Sequence, residues 1–194
     1  MFGKVLTVAV WLICLVSLIT VGTDQGIANV LRYAPIALLV GYACWMAYWC
    51  PAITIDLSGV TIQNIVRTHR VTWPAVQRID TKYALTIFTG GKKYTAWSAP
   101  APSRFSMFNA RKQDLGRLPE STYGPGNSIG LGDLPKSDSG VAAYHVRTQW
   151  QALRDAGHLD LGVLEGTGVV TTWHRSQLAV LAVLTVLAVI AAYL

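Results

Sequence analysis

Three stretches of this chain carry no charged residue: Val5–Val21, Ala34–Trp49 and Leu178–Leu194. Each is 16 or 17 residues long. A helix that crosses a bilayer needs about 17–25 apolar residues, and Tyr33 and Ser176–Gln177 can extend the second and third runs. A chain built this way must place those runs in lipid, because three uncharged faces of that length cannot be covered by one small water-soluble core. The spacing predicts transmembrane helices over 4–21, 33–49 and 176–194. The first two form a hairpin within residues 1–50, joined by a loop at 22–32. No Asp, Glu, Lys, Arg or His falls inside these runs, which argues against transport by this chain alone, since transporters place such groups within the bilayer.

All but Lys4 and Arg32 of the 16 Lys and Arg residues lie between Cys50 and Gln177, as do all but Asp24 of the ten acidic ones. That block is long enough for one small domain with its own core. Lys and Arg near membrane ends set orientation. Lys4, Arg67, Arg70 and Arg175 flank the ends on one side, whereas the 22–32 loop has one Asp and one Arg. The expected arrangement is a multi-pass protein of the inner (plasma) membrane. Its N-terminus and polar block are cytoplasmic and its C-terminus is outside. The first run is too long for a secretory h-region, and no small-x-small site follows it. Cys14, Cys44 and Cys50 all lie in or beside the apolar runs, so no disulfide framework or paired-cysteine zinc pattern is present.

The hydrophobic period changes after Ala52. Ile53, Ile55 and Leu57 alternate with polar neighbours, as do Val60 and Ile62, Val71 and Trp73, Leu85 and Ile87, and Tyr94 and Ala96. Alternation of this kind marks strands with one face on a core. Ser58–Gly59, Thr68–His69 and Gly90–Gly91 are the expected turns, with a bend or helical turn over 74–79. The expectation is an antiparallel meander of four or five strands. Ala99–Gly140 holds five prolines and forms a long excursion, since loops beyond about 15 residues are uncommon in compact domains. Ala143, Val146, Trp150 and Leu153 recur at helical spacing in Ser139–Asp155. They predict one amphipathic helix with Ser139 as N-cap and Gly157 at its C-terminal end, covering the sheet. Arg147, Gln151 and Arg154 are expected to face away. Residues 160–175 are read as a connector, to which Val169–Trp173 can add a short strand.

Strands followed by one capping helix is the order of a pleckstrin-homology (PH) domain. The segments Ile53–Ile62, Arg70–Asp80 and Tyr83–Tyr94 resemble, in turn, the opening hairpin, the Trp-containing segment and the strand-Gly-strand hairpin of bacterial PH domains. Residues 51–102 together resemble the actinobacterial membrane PH-domain family named for a low-molecular-weight protein antigen. The fold class expected is therefore an α+β membrane protein. Three transmembrane helices would carry a cytoplasmic PH-like antiparallel β domain over 51–159, capped by one C-terminal amphipathic helix.

The search for chemistry is short. His69, His145, His158 and His174 sit in no zinc-ligand spacing. Gly124–Gly132 follows no strand and lacks the Gly-Lys-Ser/Thr ending of a phosphate loop. No nucleophile-elbow pattern occurs. No catalytic residue, metal or cofactor is expected, and no nucleic-acid recognition motif accompanies the basic balance. Two candidate surfaces remain. Arg67, His69 and Arg70 at one expected hairpin tip, with Lys82, Lys92 and Lys93, could meet an anionic lipid or a partner. Phe105, Met107, Phe108, Arg111 and Lys112 could seat at a headgroup layer. The function expected is a non-enzymatic accessory or assembly subunit that contacts other integral membrane proteins. The alternative is an anionic-lipid-binding membrane-surface module.

Overall fold

The computed structural model describes residues 2–102, 122, 130–134, 137–159 and 168–193. The chain divides into two compact units, Met1–Pro51 with Trp173–Leu194, and Ala52–Thr172.

The first unit is helical. Helices α1 (Phe2–Gln25), α2 (Ile27–Tyr48) and a C-terminal helix (Arg175–Tyr193, below α4) are each long and apolar enough to cross a membrane. The helices overrun the apolar runs, so the expected 22–32 loop is absent. Gly26 alone separates α1 from α2, and its φ of 82° is an angle that glycine adopts without strain. Polar side chains continue the helix there by bonding back to its own carbonyls: Thr20 donates to Val16 O, Thr23 to Thr20 O and Asn29 to Gln25 O. Arg32, expected in that loop, lies inside α2. Its Nε donates to Ala191 O at 3.2 Å and thereby satisfies a carbonyl in the last turn of α4.

Helix α2 packs against both α1 and α4. Two bonds fix its direction relative to α4: Arg32 to Ala191, and Tyr42 Oη to Gln177 O at 3.3 Å. Position falls on α4 as it rises on α2, so the two run antiparallel. Gly3 lies against Tyr48 and Gly22 against Val30, which makes α1 and α2 antiparallel as well. The start of α1, the end of α2 and the start of α4 therefore share one end of the unit. At Gly41 the helices come close enough that an added Cβ would stand 2.9 Å from the Trp11 ring. Glycine at this position admits the indole, as small residues do where membrane helices pack.

The second unit has two sheets. Strands β1 (Ala52–Ile55), β2 (Gly59–Gln63), β3 (Arg67–Thr72) and a late strand β7 (Val169–Trp173) form one, in that order. Strands β4 (Arg78–Asp80), β5 (Ala84–Thr89) and β6 (Lys92–Pro100) form the other. Among the described residues six strands thus precede the helix, more than the four or five expected. The turn placed at Thr68–His69 is instead made by Asn64–Arg67, where Asn64 N–H donates to Arg67 O. Thr68 and His69 are interior to β3, opposite Gln63 and Ile62. The expected bend after Trp73 is a 3-10 turn, Trp73–Ala75, with Pro74 pre-setting its backbone.

The two sheets meet through β6. Its pairing with β5 jumps from Thr86–Thr95 to Ala84–Pro100, leaving extra residues on β6. The side chain of Asn64 reaches across to this bulge. Its Nδ2 donates to Thr95 O at 2.9 Å, and its Oδ1 accepts from Trp97 N–H at 2.8 Å. One amide therefore satisfies two backbone groups at the bulge.

Between the sheets lie Val60, Ile62, Val71, Trp73, Leu85, Ile87 and Ala96, all buried. Ala143 and Val146 of α3 (Asp138–Asp155) complete this core, with Trp150 and Leu153 packed against it. The helix begins one residue after Ser137, whose Oγ accepts from Gly140 N–H at 2.9 Å. Ser139, the expected cap, is buried inside the first turn and donates to Gly132 O at 2.6 Å. At the other end Gly157 takes φ 72°, and the N–H groups of His158 and Gly157 bond Leu153 O and Arg154 O. This is the paired arrangement of a Schellman stop.

Candidate functional site

The six basic positions singled out in the sequence do not converge. Arg67 opens β3 beside the Asn64–Arg67 turn. Arg70, three residues on, faces the other side of the same strand and reaches the β1–β2 turn at the opposite end of the sheet. Its Nη2 lies 2.8 Å from Ser58 Oγ and 3.9 Å from Asp56 Oδ2. Asp56 is itself held by Ser58 N–H at 2.7 Å, by Gly59 N–H at 3.0 Å and by the Ser58 hydroxyl. These bonds, the Ser58 hydroxyl foremost, hold the Asp56 carboxyl below the usual carboxylate range, and Arg70 adds to them. Arg70 thus works as part of a turn brace. Gly59 is required in that brace, since a Cβ there would meet Val71 O at 2.1 Å.

His69 is buried. Its ring packs on Tyr94 with centroids 4.8 Å apart, and Nδ1 lies 2.9 Å from Thr171 Oγ1 on β7. Along the same edge of β3, Gly168 bonds Thr72 through backbone and side chain. The two contacts run in opposite chain directions, so β7 lies antiparallel to β3. Burial, and then the charge of Arg67, push the His69 imidazole below its ordinary pKa. This histidine is a seam between strands rather than a surface cation.

Lys82 and the Lys92–Lys93 pair stand at opposite ends of β5, roughly 17 Å apart along the strand at the usual rise per residue. Lys82 Nζ lies 5.3 Å from the Tyr83 ring. Lys92 and Lys93 are exposed at the β5–β6 turn, where Gly91 takes φ 90°. The expected tip cluster fails because β3 already begins at Arg67, ahead of the expected Thr68–His69 turn, and alternation sends its basic side chains to different faces. Phe105, Met107, Phe108, Arg111 and Lys112 lie outside the described residues.

One charged group that sequence reasoning turned outward is buried. Arg147 is 4% exposed and pairs with Asp133, Nη1 to Oδ1 at 2.5 Å. Its guanidinium also reaches Thr122 Oγ1 and Ile79 O, each at 3.3 Å. Thr81 donates to the same Asp133 oxygen at 2.8 Å. Gly132 is packed so tightly on Thr81 that a Cβ would stand 1.8 Å from its carbonyl oxygen. The cluster ties a short turn, Leu131–Asp133, to β4 and α3. The signal was present: Arg147 lies four residues from Ala143 and therefore shares its face.

Among the described residues, no three His, Cys, Asp or Glu side chains come together as a metal site. Among its exposed polar residues the domain also presents a few large apolar side chains to solvent, at isolated points. Leu57 is 86% exposed at the β1–β2 turn, Tyr83 80% at the β4–β5 turn and Trp97 55% on β6.

Residues 50–119 match the protein family described as Bacterial PH domain. No curated protein and no solved structure matches the chain.

Proposed function

We propose that this chain is a non-enzymatic integral membrane protein whose PH-like domain contacts other integral membrane proteins, as an accessory or assembly subunit of a larger complex. The observation that carries this reading is the dispersal of the basic side chains. His69 is a buried seam, Arg70 braces a turn, and Lys82 stands a strand's length from Lys92 and Lys93. The basic side chains singled out in the domain do not gather around one point. Exposed Leu57, Tyr83 and Trp97 are the kind of side chain that protein interfaces bury. In this reading the N-terminus and the domain are cytoplasmic, the C-terminus is outside, and the domain belongs with the actinobacterial membrane PH domains that its motifs resemble. Extraction of the host membrane with mild detergent tests it. Co-migrating subunits in stoichiometric amount are the expected result. A protein that always runs alone ends the idea.

The second reading, an anionic-lipid-binding surface module, is favoured by the exposed Lys92–Lys93 turn. Each such residue near an anionic leaflet contributes about 1 kcal/mol. Flotation of the 52–172 domain with phosphatidylglycerol vesicles checks it, and binding indifferent to Lys92→Glu with Lys93→Glu removes it.

A further inference from the structure

A groove of about 500 Å³ runs between α1 and α2, walled by Val8, Trp11, Leu12 and Leu15 on one side and by Trp45 and Trp49 on the other. Its size falls within the range of about 300–1,000 Å³ typical of ligand sites. It is open to the surface, and its walls belong to α1 and to α2 with the Trp49 that follows it. The Trp11 indole that lines it packs against Gly41, where an added Cβ would stand 2.9 Å from the ring.

Depth and charge define what fits. Trp49 ends the groove at the level where α1 begins, and Lys4 Nζ sits 5.3 Å from the Trp49 ring. From Lys4 to Leu15 the helix rises about 16 Å, close to one leaflet of a hydrocarbon core about 30 Å thick. The groove therefore reaches from the headgroup level to the midplane and stops. Lys4 also lies in the first turn of α1, which has no acidic residue. A cation at a helix N-terminus is opposed by the macrodipole, so that end of the groove calls for an anion.

We infer that the α1–α2 groove holds one anionic phospholipid, with an acyl chain against Trp11 and Leu15 and its phosphate at Lys4. The site does not involve the PH-like domain and stands whether or not that domain recruits a partner. The protein is reconstituted into nanodiscs of phosphatidylglycerol and phosphatidylcholine in equal amounts, extracted in mild detergent and weighed by native mass spectrometry. Wild type retains one phosphatidylglycerol. Lys4→Gln, which leaves the helix packing intact, lowers the preference for phosphatidylglycerol over phosphatidylcholine about fivefold, the factor that about 1 kcal/mol per lysine corresponds to. Leu12→Trp fills the groove and lowers total retained lipid. Wild type that retains no lipid, or a mass of two chains with the groove occupied by a second copy, overturns the proposal. So does a Lys4→Gln protein whose lipid preference is unchanged.

Discussion

Arg147 and His69 show how a single buried polar group ties distant parts of the chain together. Arg147 brings Asp133, Thr81 and Ile79 O into one network. Removing one partner leaves the other charge buried and unpaired, which costs about 3–5 kcal/mol. Arg147→Met should lower the stability of the 52–172 domain by that order in chemical denaturation. Adding Asp133→Leu should recover most of the loss, because an apolar pair of similar volume removes the stranded charge. His69 makes a separate prediction about pH. Its folded pKa is depressed by burial and by Arg67, whereas an unfolded histidine titrates near 6.5. The folded state therefore binds fewer protons than the unfolded one. Its contribution is fully present above about pH 6.5 and is lost as pH falls toward the folded value. The thermal midpoint of the domain should drop on acidification through that window, and His69→Gln should flatten the slope.

At the scale of elements, much was legible and the exceptions have definite causes. Period-two alternation located β1, β2 and β5, and helical spacing located α3. Two misreadings share one origin: short polar residues can either make a turn or satisfy something remote. Asn64 does both, opening the β2–β3 turn and bonding the β6 bulge. Ser139, the expected cap, turns to Gly132 O instead, and Ser137 takes the cap by accepting from Gly140 N–H. Arg147 carried the right spacing for burial, but its partner sits in a Pro/Gly-rich segment where no periodicity points to it. Between helices the determining element was visible as a small residue, and its neighbour was not. Gly41 faces Trp11 at a separation that leaves no room for a larger group. Gly41→Leu should overpack this contact, cost about 1–3 kcal/mol and lower the melting temperature of the detergent-solubilised protein. Gly26→Ala should be milder, since no atom lies within 4 Å of its missing Cβ and only the backbone angle resists.

For the molecule as a whole, the antiparallel order of α1, α2 and α4 has a direct consequence for sidedness. Both chain connections of the 52–172 unit leave the end of the helical unit where α1 begins, and α4 finishes at the other end. A reporter active only outside the cytoplasm should therefore be silent when inserted after Pro102 and active when fused after Tyr193. Activity in the reverse pattern would invert the proposed orientation, and equal activity at both sites would contradict the three-span arrangement. The same connectivity bears on how the protein is dismantled. A protease that cuts once anywhere between β1 and β7 frees nothing, because each half keeps its own lipid-embedded segment. The halves also remain joined by strand pairing, since β7 lies beside β3 although the two are distant in sequence. Shedding of the domain takes two cuts, one on each side, so a nicked form would persist at the membrane as a non-covalent pair.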